Sequence, residues 1–422
     1  MNKKQKRLKI NTKMIISPIK YITLGLVAIA MLSCNNTKKE DVEKQEDTRP
    51  NIIFVFADDW GFGDLGVYGN TEVVTPNIDK MAAEGTRFTQ FQTMQKAGYK
   101  TAHFGKWHLG GGGKPHGDPS APEPKTYGYD EARVWNGNGP TWKGDQKWET
   151  TRFMDTDTLW VQSSSKIAVD ETIDFIKRNK GKQPMFVNLW LKDPHTPLWP
   201  SEEQRKSFKG LSPSKETYYA VLKDADFHIG RLLASISEMG LDENTLIIFS
   251  SDNGPAAYGP SLEAGSTAGL KGRKVDIFQG GVVVPFIVKW KNHVQENKVD
   301  STSVLSTVDL LPTFARLAET ELPTDYNIDG ENISSILENN NFKRTKPLFW
   351  EWRFPKEKSN HWAQGAVRNG DWKLLFNKDI NKEELYDISK DPFEKNNVAE
   401  SNAQIVSELK SLWQDWKKEL PK

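Results

Sequence analysis

Five polar clusters in this sequence carry side chains capable of chemistry, and four of them directly follow apolar runs. Asp58 and Asp59 follow NIIFVFA, Lys106 and His108 follow YKTAHFG, His195 follows MFVNLWLKDP, and Asp252 and Asn253 follow TLIIFSS. A fifth candidate, Lys271, sits in the Gly-rich stretch AGLKGRK. Each has an ordinary explanation when taken alone. A pair of aspartates after a strand is a helix cap or a solvated turn, Asp-Asn-Gly is a turn held by its own side chains, and a Lys or His among glycines is simply exposed. Together they make a pattern. Three carboxylates and one amide oxygen are hard ligands that suit Ca²⁺ or Mg²⁺ rather than zinc, and no thiol or paired-His spacing lies nearby. Lys106 and His108, two apart in an extended segment, point the same way. A divalent cation ringed by Lys106, Lys271, His108 and His195 suits a tetrahedral oxyanion, sulfate or phosphate, whose charge grows during transfer. The residue types therefore predict an oxyanion-ester hydrolase.

Such a site needs a scaffold that brings distant strand ends together. Residues 51–56, 185–191, 245–251 and 282–290 are continuous apolar runs of strand length. Between them lie helical patterns, SKIAVDETIDFIKRN and ETYYAVLKDADFHIGRLLASISEMG, the second stopping at Gly240. Buried strands alternating with helices predict an α/β fold, a large mostly parallel sheet covered by helices on both faces. Ligands of an open parallel sheet gather at the carboxyl ends of its strands, where these polar residues fall. After about residue 338 the texture changes to short strands with turn signals, PLFWEW, GAVRNGDWKLLF and ELYDI, and a closing amphipathic helix over 401–420. The expected organisation is a main domain over 51–338 and a C-terminal subdomain over 339–422 with a small antiparallel sheet and one helix.

At 422 residues the chain can bury a sizeable core. Its 57 basic and 56 acidic residues exclude a polybasic nucleic-acid binder. Fifteen Trp suit stacking surfaces for sugar rings as well as core packing. Residues 1–34 read as targeting: a Lys-rich start, the apolar run YITLGLVAIAML, too short for a comfortable span, and then Ser33-Cys34. Met31-Leu32-Ser33-Cys34 resembles a bacterial lipobox, which would make Cys34, the one cysteine of the chain, the lipidated first residue of a membrane-anchored envelope protein. A simple cleaved signal peptide with an incidental Cys is the other reading. Residues 35–50 are charged and nearly devoid of aliphatics, as in a solvated tether. Nothing in the sequence specifies an oligomer.

The stretches RPNIIFVFADDWGFGDLGVYGN, TPNIDKMAAEGTRFTQF, GYKTAHFGKWHLG, DPHTP, SSDNG, AGLKGRK and ELYDISKDPFEKNNVAE resemble, in order and spacing, the type I sulfatases of the alkaline-phosphatase superfamily. The resemblance spans nearly all of 49–422. It implies that Asp58, Asp59, Asp252 and Asn253 bind Ca²⁺, that Lys106, His195 and Lys271 hold the sulfate, and that His108 acts on the nucleophile. The implied substrates are sulfated oligo- or polysaccharides, such as ulvan, carrageenan or glycosaminoglycans. A two-metal phosphodiesterase of the same superfamily fits less well, because Asn253 stands where those enzymes carry His.

One part of the family pattern is missing. Family members carry Cys/Ser-x-Pro-x-Arg between the stretches that correspond to RFTQF and GYKTAHF, and oxidise the Cys or Ser to formylglycine, the nucleophile. Here only QTMQKAG lies between them, and Ser120-Ala-Pro-Glu-Pro124 lacks the Arg. If RFTQF and YKTAHF are parallel neighbours, a crossover of a dozen or more residues is missing as well. The resemblance thus implies a sulfatase without its nucleophile motif, or alternatively a non-catalytic lipoprotein that captures sulfated glycan.

Overall fold

The computed structural model describes residues 47–68, 70–83, 86–88, 97–107, 124–135, 162–322, 327–352 and 360–420. Cys34, most of the tether, the 91–96 join and His108 lie outside them. Thr48–Lys422 forms one compact unit.

The centre is β1, Asn51–Ala57, whose seven residues are all buried. It pairs in parallel with β5, Met185–Trp190, on one side and with β6, Thr245–Ser251, on the other. Because side chains alternate along a strand, β1 feeds two cores. Ile53, Val55 and Ala57 join a cluster with Phe175, Ile176, Tyr218, Leu222 and Ile229. Those residues come from the helices Ser164–Asn179 and Pro213–Glu238. Ile52, Phe54 and Phe56 join Phe186, Leu246, Ile248, Leu310 and Phe314 on the other face, where the helix Leu310–Leu317 packs. Burial on both faces explains why these strands read as unbroken apolar runs.

The remaining main-sheet strands are β2 (Thr86–Phe88), β3 (Lys100–Lys106), β4 (Glu131–Trp135), β7 (Phe286–Lys289) and β8 (Lys298–Val299). The order is β4-β3-β5-β1-β6-β7-β2-β8. All neighbours are parallel except β7, which runs antiparallel to both β6 and β2. The apolar run at 282–290 is thus shorter as a strand than the sequence predicts, its start being a helical turn, Gln279–Val282.

The two runs flanking the short join are not neighbours, contrary to the condition posed from the sequence. β2 lies between β7 and β8, whereas β3 lies between β4 and β5, with β5, β1, β6 and β7 separating them. Crossing those strand spacings requires roughly 24 Å at about 4.8 Å each. The chain from Phe88 to Lys100 can reach roughly 40 Å when extended. Chain reach alone therefore demands no extra crossover, and only the family pattern implies a missing segment.

The C-terminal sheet contains β9 (Leu348–Glu351), β10 (Gly365–Asn369), β11 (Trp372–Asn377) and β12 (Lys382–Asp387), antiparallel in the order β12-β11-β10-β9. The helix Ala403–Glu419 covers one face, Val406, Leu409 and Trp413 meeting Val367, Leu374 and Leu385. The other face packs Ala366, Leu375 and Tyr386 against Ile277 and Phe278. This second contact fastens the small sheet to the loop that follows β6.

Candidate active site

The carboxyl ends of β1, β3, β5 and β6 lie side by side and bring the predicted clusters together. Asp58 and Asp59 leave β1 directly, and both are buried. Asp59 has a φ of 64°, a left-handed conformation that aspartate tolerates better than most residues. The turn is tied to β6: the Asp59 N–H donates to Asp252 Oδ1 at 3.0 Å, and the Trp60 N–H donates to Ser251 Oγ at 3.0 Å. Asn253 Nδ2 donates to Asp59 Oδ1 at 2.8 Å, and its own N–H donates to Asp252 Oδ1 at 2.8 Å. Lys106, the last residue of β3, pairs with Asp58 Oδ2. His195, in the loop after β5, places Nε2 3.8 Å from Asp59 Oδ2.

Lys271 does not join this cluster. Its ammonium bonds Tyr386 at 3.0 Å and Glu384 at 3.1 Å and lies 4.0 Å from the centre of the Phe278 ring, so it faces the C-terminal sheet. The cation that the Gly-rich loop delivers to the site is Lys274, with Nζ 2.5 Å from Asp59 Oδ1. The turn between the two lysines explains the exchange. Gly272 and Val275 both have positive φ, 83° and 70°, and Asp276 Oδ2 closes the turn by accepting from the Arg273 N–H at 2.8 Å. His361 of the C-terminal subdomain holds Asp276 from outside, Nδ1 to Oδ1 at 2.6 Å. The sequence reading also missed Lys192, fully buried between β5 and His195, which donates to the Pro197 carbonyl.

Burial dominates the electrostatics. It raises the Asp58 carboxyl, with Lys106 opposing, and pushes Asp252 up to about 7, helped by the Asp58 and Asp59 charges. Burial works against the Lys274 ammonium too, but Asp59 and Asp58 outweigh it and hold the lysine above its ordinary value. His195 is pushed down to about 4 by burial and by Lys106. It is therefore a neutral imidazole at ordinary pH. Nδ1 donates to the Thr196 carbonyl at 2.6 Å, which leaves Nε2 as the acceptor aimed at the cluster. Burial likewise lowers Lys192 to about 8.

The site fits a hard divalent cation. Asp58 Oδ1 and Asp59 Oδ2 are buried with no hydrogen-bond partner, a costly state for carboxylate oxygens unless a cation completes them. Ligand atoms of Asp58, Asp59 and His195 lie within 4.8 Å of one another. Carboxylate oxygens dominate this set, as Ca²⁺ or Mg²⁺ prefer.

A mostly parallel sheet with carboxylates and lysines gathered at its strand ends is the layout expected from the sulfatase motifs of the sequence. The chain belongs to the sulfatase family: the family model "Sulfatase" matches residues 50–94 and 91–320. A second model, "N-sulphoglucosamine sulphohydrolase, C-terminal", matches 273–419. By family it is a sulfuric ester hydrolase. An N-acetylgalactosamine-6-O-sulfatase of Bacteroides thetaiotaomicron is 26% identical, covering 92% of this chain and 97% of that one. Human arylsulfatase A is 26% identical over 86% of this chain and 87% of its own. The solved structure of Ps i-CgsB superposes with a TM-score of 0.74 at 24% identity, over 87% of this chain and 92% of that one. The last of these similarities speaks for the fold alone.

Proposed function

We propose that this chain recognises sulfate esters of sulfated glycans at a calcium site made by Asp58, Asp59, Asp252 and Asn253, with Lys106 and Lys274 as the sulfate clamp and His195 beside them. The observation that carries the proposal is the pair of buried, unpartnered oxygens, Asp58 Oδ1 and Asp59 Oδ2, beside two lysines that neutralise the same two carboxylates. A bound cation would polarise a sulfate oxygen and neutralise the aspartates. Lys106 and Lys274 would then turn from the carboxylates to the sulfate oxygens, and the uncharged His195 would stand beside them with Nε2 as a hydrogen-bond acceptor for a hydroxyl of the bound saccharide. His108, two residues beyond Lys106, is assigned to the nucleophile side by the family pattern.

The substrate class draws on the relatives. Several are N-acetylgalactosamine-6-sulfatases, and Ps i-CgsB has been solved with k-i-k-neocarrahexaose. The absence of Cys/Ser-x-Pro-x-Arg between RFTQF and GYKTAHF, where the family match also divides at 91–94, supports a reading in which binding is kept and turnover is lost. The chain binds sulfate esters and hydrolyses them negligibly, since covalent attack supplies many orders of magnitude. Calorimetric titration of inorganic sulfate into the protein, with calcium and with chelator, tests the binding half. Calcium-dependent binding supports the reading, and binding that is absent in both conditions overturns it.

A further inference from the structure

Beside the site lies a cleft of about 550 Å³, within the size range of small-ligand pockets. Asn253 and Lys274 line it, together with Trp350, Trp352, Phe349 and Trp416. Trp350 lies on the edge strand β9 and Trp352 one residue past its end, and the strand period explains which way these side chains face. Phe349 and Glu351 point to the helix Ala403–Glu419, where Phe349 stacks on Trp416 with centroids 5.0 Å apart and Glu351 pairs with Lys417. Trp350 and Trp352 therefore share the opposite face, packed beside Ile277 and Phe278, and both remain only partly buried. Two partly buried indoles, two residues apart at the end of an edge strand, thus border the cleft. Exposed Asp329 and Val308 lie on the rim.

From this arrangement we infer that the cleft is the saccharide subsite of the protein: the C–H face of a pyranose ring lies on Trp350 and Trp352 while its sulfate ester reaches Lys274 and Asn253. The inference rests on the sulfate-ester reading above and adds to it where the sugar goes and which residues choose it. The chemistry matches at both ends. An indole offers a large apolar face to the axial C–H groups of a sugar. The carboxylate of Asp329 suits ring hydroxyls, and the cationic end suits only the ester. The small C-terminal sheet thereby acts as the selector of the sugar, and the strand ends of the large sheet act on the sulfate.

The test is calorimetric titration of the full chain, in calcium, with tetrasaccharides of chondroitin 6-sulfate and of ι-carrageenan, with their unsulfated forms, and with inorganic sulfate. Trp350→Ala with Trp352→Ala is expected to weaken binding of the better tetrasaccharide at least about tenfold and to leave inorganic sulfate unchanged. Since those indoles also pack on the core, Val308→Trp supplies a second variant. Val308 is 39% exposed, so a bulky side chain there obstructs the cleft without entering the core. It is expected to produce the same split between tetrasaccharide and sulfate. Tetrasaccharide affinity equal to wild type in Val308→Trp overturns the subsite while leaving the sulfate site standing. A wild type that binds sulfate but neither tetrasaccharide overturns the subsite as well, and one that binds none of them overturns both readings.

Discussion

Asp59 concentrates more of the account than any other residue: it receives Asn253 and Lys274 on one oxygen and presents the other, buried and unpartnered, towards His195. A ligand that binds only the folded state stabilises it by mass action, about 2.7 kcal/mol at a hundredfold excess over Kd. Calcium is therefore expected to raise the melting temperature of the wild type over that in chelator, and Asp59→Asn should abolish the rise. Scanning calorimetry that shows the same calcium response in both proteins contradicts the assignment. The two lysines of AGLKGRK give a sharper contrast. Lys274→Ala should weaken inorganic sulfate about tenfold or more, whereas Lys271→Ala should leave it unchanged, because Lys271 is engaged by Glu384 and Tyr386. Equal losses would return Lys271 to the site. That the aspartates, Lys106 and Asn253 fall together was legible, because a polar residue at or just past the end of a buried strand leaves the sheet at its carboxyl edge. The choice between Lys271 and Lys274 was not legible, since it depends on positive φ at Gly272 and Val275 and on Asp276 closing the turn.

The elements hold the site rigid through a few buried polar joints. Asp226, on the helix Pro213–Glu238, accepts from the N–H groups of Asn77 and Ile78 at 3.1 and 2.7 Å and from Asn77 Nδ2 at 2.8 Å. It caps the first turn of the helix Pro76–Ala83, whose early amides have no partners within the helix. Burial lifts Asp226 to about 6 against the pull of those donors. A carboxyl whose folded pKa exceeds its unfolded one takes up a proton on folding. Its stabilisation is thus full below about pH 4 and is lost as pH rises through about 6. The gap corresponds to about 3 kcal/mol. Urea unfolding from pH 4 to 7 should show wild-type stability falling by about that amount relative to Asp226→Asn. Parallel profiles for the two proteins would contradict it. The strands and long helices were readable from apolar runs and from stops such as Gly240. The placement of β2 far from β3 and the reversal of β7 were not, because pairing partners distant in sequence leave no trace in the local pattern of TRF or FIVK.

At the scale of the whole molecule, the large sheet collects the charged strand ends and the small sheet brings Trp350 and Trp352 to the cleft that Asn253 and Lys274 also line. The N-terminal stretch adds a proposal on location: Cys34→Ala should move the protein from the membrane fraction to the soluble fraction, and a wild type already soluble on fractionation would dismiss the lipid anchor. The central claim is that the chain holds a sulfatase's binding site without its attacking group. Its most direct measurement compares sulfate-ester turnover by the chain as it stands with turnover by a version carrying a family Cys/Ser-x-Pro-x-Arg segment between Gln92 and Thr93, co-expressed with a formylglycine-generating enzyme. Measurable turnover is expected from the grafted protein and negligible turnover from the ungrafted one. An ungrafted chain that turns over at a rate near the grafted one would contradict the claim and show that another group on this chain attacks the ester.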